Sequence, residues 1–204
     1  MTLKLHHLNA SRSQRIVWLL EELGVDHELV HHTRDPETNL APPALLDIHP
    51  MGKSPLLEHT DIVIAETGAI SEYLLAKFDP DHKLHPKPDS PDFPRFLEWL
   101  HAAEGAIFLP GLIGFYLLRS QLQDHPLSAA MAAERDKAMQ AIETHLTRYP
   151  YFAGETFSAA DCLMGFQLVS AELQGQLASL PACAAWLAKV RARPAYQRML
   201  RAGI

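Results

Sequence analysis

Two short segments hold the residues whose types and spacing can do chemistry. They are Pro50-Met51-Gly52-Lys53-Ser54-Pro55 and, past residues 56–64, Ala65-Glu66-Thr67-Gly68-Ala69-Ile70. A proline at the head of a strand cannot donate to a ladder, so Pro55 marks an edge, a turn or a cis peptide. With a cis bond, the Ser54 N–H and C=O stand at a strand edge, where an extended peptide can pair with them. Glu66 and Thr67 open a helix, whose N–H groups and positive dipole end attract a carboxylate, while the Glu66 side chain can hold an ammonium. Together the segments offer a seat for an α-amino acid head group beside an edge that reads peptide backbone. A purely structural reading also stands: Thr67 caps its helix, Glu66 is solvated, and Ser54-Pro55 is an edge turn. The occurrence of both segments within one ββα pattern favours the binding site.

The elements around these residues form an ordered series. Leu3 to His7 alternates as a strand. Ser13 to Leu23 is helical, with Ile16, Leu19, Leu20 and Leu23 on one face and Gly24 as its stop, and Asp26 to His32 is a second strand. A short helix is expected around Pro43 to Asp47. A hairpin of Ser54 to Glu58 and Ile62 to Ile64 follows, and then a helix from Thr67 to Phe78. This β-α-β-(α)-β-β-α order is that of a thioredoxin-like domain with a four-stranded mixed sheet. Five of the 15 prolines lie between residues 80 and 94, which marks a linker. Beyond it, Phe93–Leu122, Ser128–Thr147, Ala159–Gly175, Ala182–Val190 and Ala195–Leu200 are helical in composition, a bundle of about five helices. The expected division is residues 1–80, a linker at 81–92, and an all-helical domain at 93–204. The fold class is thus α/β plus all-α.

Composition excludes several classes of function. The 204 residues are 48% hydrophobic and 21% charged, enough to bury a sizeable core. The longest apolar run, Ala106 to Leu118, is too short to span a bilayer. The N-terminus lacks a secretory signal, and Cys162 and Cys183 form no C-x-x-C motif, so a cytoplasmic protein without disulfides is expected. Net charge is −6, with 6 Lys/Arg against 12 Asp/Glu before residue 81 and 12 of each after it. That balance argues against nucleic acid, and the C-terminal basic run from Lys189 to Arg201 reads as a solvated helix face. The paired histidines His6-His7 and His31-His32 lack an adjacent carboxylate or Cys set, so no metal site is expected.

The run Asn9-Ala10-Ser11-Arg12-Ser13-Gln14-Arg15-Ile16-Val17-Trp18-Leu19-Leu20-Glu21-Glu22-Leu23, with Ile48-His49-Pro50-Met51-Gly52-Lys53-Ser54-Pro55-Leu56-Leu57-Glu58, resembles the cytosolic glutathione S-transferase family, most of all its bacterial and fungal branch. The resemblance covers nearly the whole chain. Phe152 to Asp161 is similar to that family's capping-box segment, which assigns Ser158 and Asp161 to folding. The resemblance implies glutathione as cosubstrate. Ser54, beside Pro55, would pair through its backbone with the cysteinyl part, Glu66 and Thr67 would bind the γ-glutamyl end, and Lys53 and Asn39 would lie near the glycyl carboxylate. Many members have Val where this chain has Ser54, but a main-chain contact tolerates the exchange.

The family activates the thiol with a Tyr, Ser or Cys after the first strand. No Tyr precedes Tyr73 and no Cys precedes Cys162, so the resemblance points to a serine-type site at Ser11, with Ser13 and Asn9 as rival donors. Ser13 also suits the role of N-cap to the helix that follows. The implied reaction adds the thiolate to small apolar electrophiles, with glutathione-dependent peroxidase side activity. His101, Glu104, Phe108 and Phe115, at helical spacing in the second domain's first helix, are candidates for the electrophile pocket, though core packing is the safer reading for the two Phe. A homodimer pairing first domain with second is implied as well. The competing class is a non-catalytic glutathione-binding or partner-docking module of the same fold.

Overall fold

The computed structural model describes residues 3–203. Residues through His85 together with those from Val190 onward form one compact unit, and Pro86–Lys189 form a second.

In the first unit, β1 (Leu3–Leu8), α1 (Ser13–Leu23), β2 (His27–His32), a 3-10 turn (Pro43–Leu45), β3 (Leu56–His59), β4 (Ile62–Ala65) and α2 (Thr67–Phe78) follow in the expected order. The sheet order is β2-β1-β3-β4. β1 runs parallel to β2, and β1/β3 and β3/β4 are antiparallel. The domain is thioredoxin-like. Leu3, Leu5 and Leu57 of the sheet and Ile16, Leu19 and Leu20 of α1 are buried, as period-2 and period-3.6 patterns require. Gly24 ends α1 in the left-handed region at φ 64°.

The last helix also belongs to this unit. α8 (Pro194–Arg201) packs on α1, with Tyr196 edge-on to Trp18 at 4.8 Å between ring centroids. Arg193 and Arg198 pair with Glu22 and Glu21. The expected helical domain of 93–204 therefore gives up its last 15 residues to the first unit, and these arginines are not merely a solvated face. With residues 190–203 included, the first unit holds 11 Lys/Arg against 13 Asp/Glu. The acidic excess of the first 80 residues is thus nearly neutralised by the far end of the chain.

The second unit contains α3 (Phe93–Ala102), α4 (Phe108–Arg119), α5 (Pro126–Leu146), α6 (Ala159–Leu173) and most of α7 (Pro181–Arg191). The single helix expected over 93–122 is two. Pro110 has no N–H and in a continuous helix would clash with the carbonyl of Ala106, so the chain turns at 103–107 and restarts with Pro110 in the first turn of α4. α6 opens on the expected capping box of Ser158 and Asp161. Asp161 is fully buried and also accepts from the Phe152 N–H and the Trp186 indole N–H. Among the described residues no helix is long and apolar enough to cross a membrane.

Candidate active site

Strand register brings the separate candidate segments of the first unit to one end of the sheet. Leu8, the last residue of β1, lies beside His32, the last of β2. His6 lies opposite Leu56, the first of β3, and Leu56 lies opposite Ala65, the last of β4. The loops bearing Ser11, Asn39, Ser54 and Glu66 leave or enter at this same end. In an open α/β sheet, loops at the carboxyl ends of parallel strands form the usual ligand crevice.

Ser11 sits in the turn between β1 and α1 and is 9% exposed. The turn passes through a left-handed residue, Ala10, at φ 48°. The Ser11 Oγ accepts from the Ser13 N–H at 3.3 Å and lies 2.7 Å from the Ser13 Oγ. Ser13 is completely buried. Its Oγ lies 2.8 Å from His7 Nδ1 and 3.2 Å from both the Leu8 N–H and the Leu8 carbonyl. Ser13 is therefore the first residue of α1 and a hydrogen-bond hub, with no side chain acting as N-cap. Asn9 is exposed. Burial, then the neighbouring His31 and His32, lowers His7 to about 4, so this imidazole is neutral at physiological pH.

Arg34 joins two of the loops. It donates to the Ala10 carbonyl at 2.9 Å and to the Asn39 carbonyl at 3.0 Å, tying the Ser11 turn to the loop after β2. Asn39 is exposed and left-handed at φ 57°, a conformation in which Asn replaces Gly at low cost.

The Ser54–Pro55 peptide bond is cis. The Ser54 hydroxyl donates inward to the His6 carbonyl at 2.9 Å, so its side chain is already satisfied. Gly52 precedes the segment at φ 54°, where a Cβ would meet the Leu46 side chain at 2.7 Å. A larger residue there would have to displace the Leu46 side chain as well as hold a left-handed backbone, and Lys53, which follows, is exposed. Glu66 is exposed and held at φ 73°, ψ 125°, immediately before α2, and no side chain caps that helix. A non-glycine residue there costs on the order of 1–3 kcal/mol, a strain that concentrates at ligand sites. Thr67, the first residue of α2, is 2% exposed.

The four pocket candidates all lie in the second unit, but not on one helix. His101 is at the exposed end of α3, Glu104 is in the turn, and Phe108 and Phe115 are on α4. Phe108 meets Phe166 edge-on at 6.2 Å, whereas Phe115 is 46% exposed with the Arg119 guanidinium over its ring. Core packing thus does not account for Phe115.

Sequence reasoning missed two groups. Arg34 gave no local signal. His7 did: period-2 alternation puts it on the face of Leu3 and Leu5, and a histidine at an inward position needs a partner. The expectation of no carboxylate near the histidines is also corrected. Glu58, diagonal to His6 across β1 and β3, lies 2.5 Å from His6 Nε2, and His32 Nε2 lies 3.0 Å from His6 Nδ1. Among the described residues no group of His, Cys, Asp and Glu has the arrangement of a metal site.

Comparison with known proteins adds an independent line. Residues 1–76 match the family model described as glutathione S-transferase, N-terminal domain, and residues 109–194 match its C-terminal domain. The chain is 32% identical over 182 residues to "Glutathione S-transferase 3" of Schizosaccharomyces pombe, covering 82% of this chain and 74% of that one. A crystal structure of a glutathione S-transferase from Actinobacillus pleuropneumoniae superposes with a TM-score of 0.89 at 30% identity, covering 97% and 91% of the two chains. The fold is shared as well by a glutathione transferase homolog of Lodderomyces elongisporus, solved with two GSH per subunit (TM-score 0.84, 19% identity, 99% of each chain).

Proposed function

The chain belongs to the glutathione S-transferase family, and on that premise we propose that it ionises the thiol of glutathione and adds the thiolate to small apolar electrophiles in the cytoplasm. Reduction of hydroperoxides by the same thiolate is a side activity. The observation that carries this reading is the strand register that gathers the Ser11, Asn39, Ser54 and Glu66 loops at one end of the sheet.

Ser11 is the thiolate donor in this reading. A free thiol with a pKa near 8.5 is only about 3% ionised at pH 7, and lowering the pKa by two units makes the anion the major form. A hydroxyl donating to sulfur at the N-terminal end of α1 favours the anion through both its hydrogen bond and the helix dipole. The thiol proton leaves to solvent. The sulfur lone pair forms a C–S bond, and either a leaving group departs with its electrons or the conjugate carbanion takes up a proton.

The tripeptide lies across the loop cluster. Its cysteinyl backbone pairs with the main chain of Ser54, beside Pro55, a role supported by the inward turn of the Ser54 hydroxyl. The γ-glutamyl ammonium meets Glu66, and its carboxylate meets the first N–H groups of α2 at Thr67. Lys53 supplies a cation to the glycyl carboxylate, near Asn39. His101, Glu104, Phe108 and Phe115 are assigned to the electrophile, with exposed Phe115 the most suitable apolar contact.

A homodimer is part of the proposal. α4 has no buried residue, although Leu109, Tyr116 and Leu118 are each 46–63% exposed, an apolar surface of the kind that partners cover. Light scattering on the eluting protein should give twice the chain mass.

Isothermal titration with glutathione, run beside a chromogenic conjugation assay on the wild type and Ser11→Ala, tests the function. Both proteins should bind glutathione, and the variant should lose roughly a hundredfold in turnover, as for removal of one oxyanion donor. Absence of binding overturns the function, and unchanged turnover in Ser11→Ala overturns the role of Ser11.

A further inference from the structure

We propose that His7 is a positioning residue for catalysis: as the neutral Nδ1–H tautomer it donates to Ser13 Oγ, Ser13 donates to Ser11 Oγ, and the Ser11 proton is thereby directed to the glutathione sulfur. The inference rests on Ser11 being the thiolate donor, as read above.

Proton counting leads there. Each serine hydroxyl has one proton and two lone pairs. The Ser13 Oγ already accepts from the Leu8 N–H at 3.2 Å, so one lone pair and one proton remain for its two shortest contacts, Ser11 Oγ at 2.7 Å and His7 Nδ1 at 2.8 Å. Each short contact needs one proton between its atoms, since two facing lone pairs at that distance repel.

Two arrangements satisfy both contacts. In the first, Ser11 donates to Ser13 and Ser13 donates to a bare His7 Nδ1. The Ser11 proton then points inward and no donor remains for the sulfur. In the second, every bond is reversed: His7 Nδ1–H donates to Ser13, Ser13 donates to Ser11, and the Ser11 proton is left for the ligand. The Ser13 N–H, 3.3 Å from Ser11 Oγ, donates to it in either arrangement; in the second, Ser11 accepts twice and has only its own proton to give. Sending the Ser13 proton to the Leu8 carbonyl at 3.2 Å instead would leave three donors competing for two lone pairs.

The setting suits a fixed relay. Ser13 is completely buried and His7 is 2% exposed, so no bulk water substitutes for either partner, and a buried network with full pairing holds one orientation. His7 is too weak a base to keep the thiol proton, given burial and the nearby His31 and His32. Its role is to orient, and the thiol proton is not stored on it.

The test uses the wild-type protein with nitrogen-15-labelled histidine, saturated with glutathione at a pH where the bound thiol is ionised. The ring nitrogens of His7 should show a protonated Nδ1 and a bare Nε2. A protonated Nε2 with bare Nδ1 overturns the relay and leaves Ser11 as donor untouched, whereas the Ser11→Ala assay tests Ser11 alone. Two variants give a second readout, the ultraviolet thiolate band of bound glutathione titrated against pH. His7→Leu and Ser13→Ala should each raise the bound thiol's pKa by about one unit, a tenfold fall in its ionisation constant, with glutathione affinity little changed. His7→Asn, whose side-chain N–H can stand near the Nδ1 position, should recover most of it. A thiol pKa equal to wild type in both His7→Leu and Ser13→Ala overturns the proposal.

Discussion

Arg193 grips Glu22 through two hydrogen bonds, 2.6 Å from Nε and 2.8 Å from Nη2. The same carboxylate accepts from the Trp18 indole N–H at 2.9 Å. The end of the chain thus fastens α1, the helix whose first turn follows Ser11, and supplies cations to a segment that is acidic on its own.

Replacing Arg193 by alanine leaves a Glu22 carboxylate that is only 8% exposed without its cation. Removing one partner of a largely buried pair costs more than the pair contributes, here about 2 kcal/mol, between exposed and fully buried values. Arg193→Ala should lower the unfolding free energy measured by denaturant titration by that amount, and Arg198→Ala, at the more exposed Glu21, by less.

Asp161 accepts from the Ser158 N–H at 2.9 Å, the Ser158 hydroxyl and Phe152 N–H at 3.1 Å, and the Trp186 indole at 3.0 Å. Asp161→Ala orphans buried donors and should cost about 3 kcal/mol or more in calorimetric unfolding. Burial raises this carboxyl to about 6 against the opposing pull of those donors. Its folded pKa is above its unfolded one, so the associated stability is complete below about pH 4 and is lost as pH rises through 6. Asp161→Asn should remove that slope.

Much of the fold was legible because its signals are local. Gly24 ends α1, alternation marks β1, Ser158 and Asp161 cap α6, and Pro55 stands where only an edge, turn or cis bond fits. The misses were non-local or required counting turns. Arg193 and Glu22 are 171 residues apart, so no window shows their pairing, and the charge imbalance before residue 81 was its only trace. Glu58 reaches His6 only through sheet register. Pro110 did signal a helix start, but the apolar run around it masked the break. In the candidate site, residue types and the resemblance named Ser11, Ser54 and Glu66, whose loops the strand register brings to one end of the sheet. The tie made by Arg34 and the partner of Ser13 depend on loop geometry.

His7 tilts stability in the opposite sense to Asp161. Its folded pKa, about 4, lies below the unfolded value near 6.5, so its neutral-state contribution is present above pH 6.5 and lost as pH falls through 4. The two slopes oppose each other between about pH 4 and 6. Denaturant unfolding of His7→Asn over this range should gain stability toward acid relative to wild type, because only the opposing Asp161 slope remains.

Ser54 and Lys53 should respond differently to substitution. The Ser54 hydroxyl is spent on the His6 carbonyl while its main chain is assigned to the ligand, so Ser54→Val should change the glutathione dissociation constant by less than about threefold. Lys53→Ala removes an exposed cation from the glycyl carboxylate and should weaken binding about fivefold at low salt, an effect that shrinks as salt is added. Titration calorimetry at two ionic strengths measures both.

The most direct measurement of Ser11's role is the pKa of the glutathione thiol in the binary complex, read from thiolate absorbance in wild type and Ser11→Ala. In wild type it should lie about two units below the free value near 8.5, and in Ser11→Ala it should return most of the way with glutathione still bound. An equally depressed pKa in Ser11→Ala would show that another group, not this serine, makes the nucleophile.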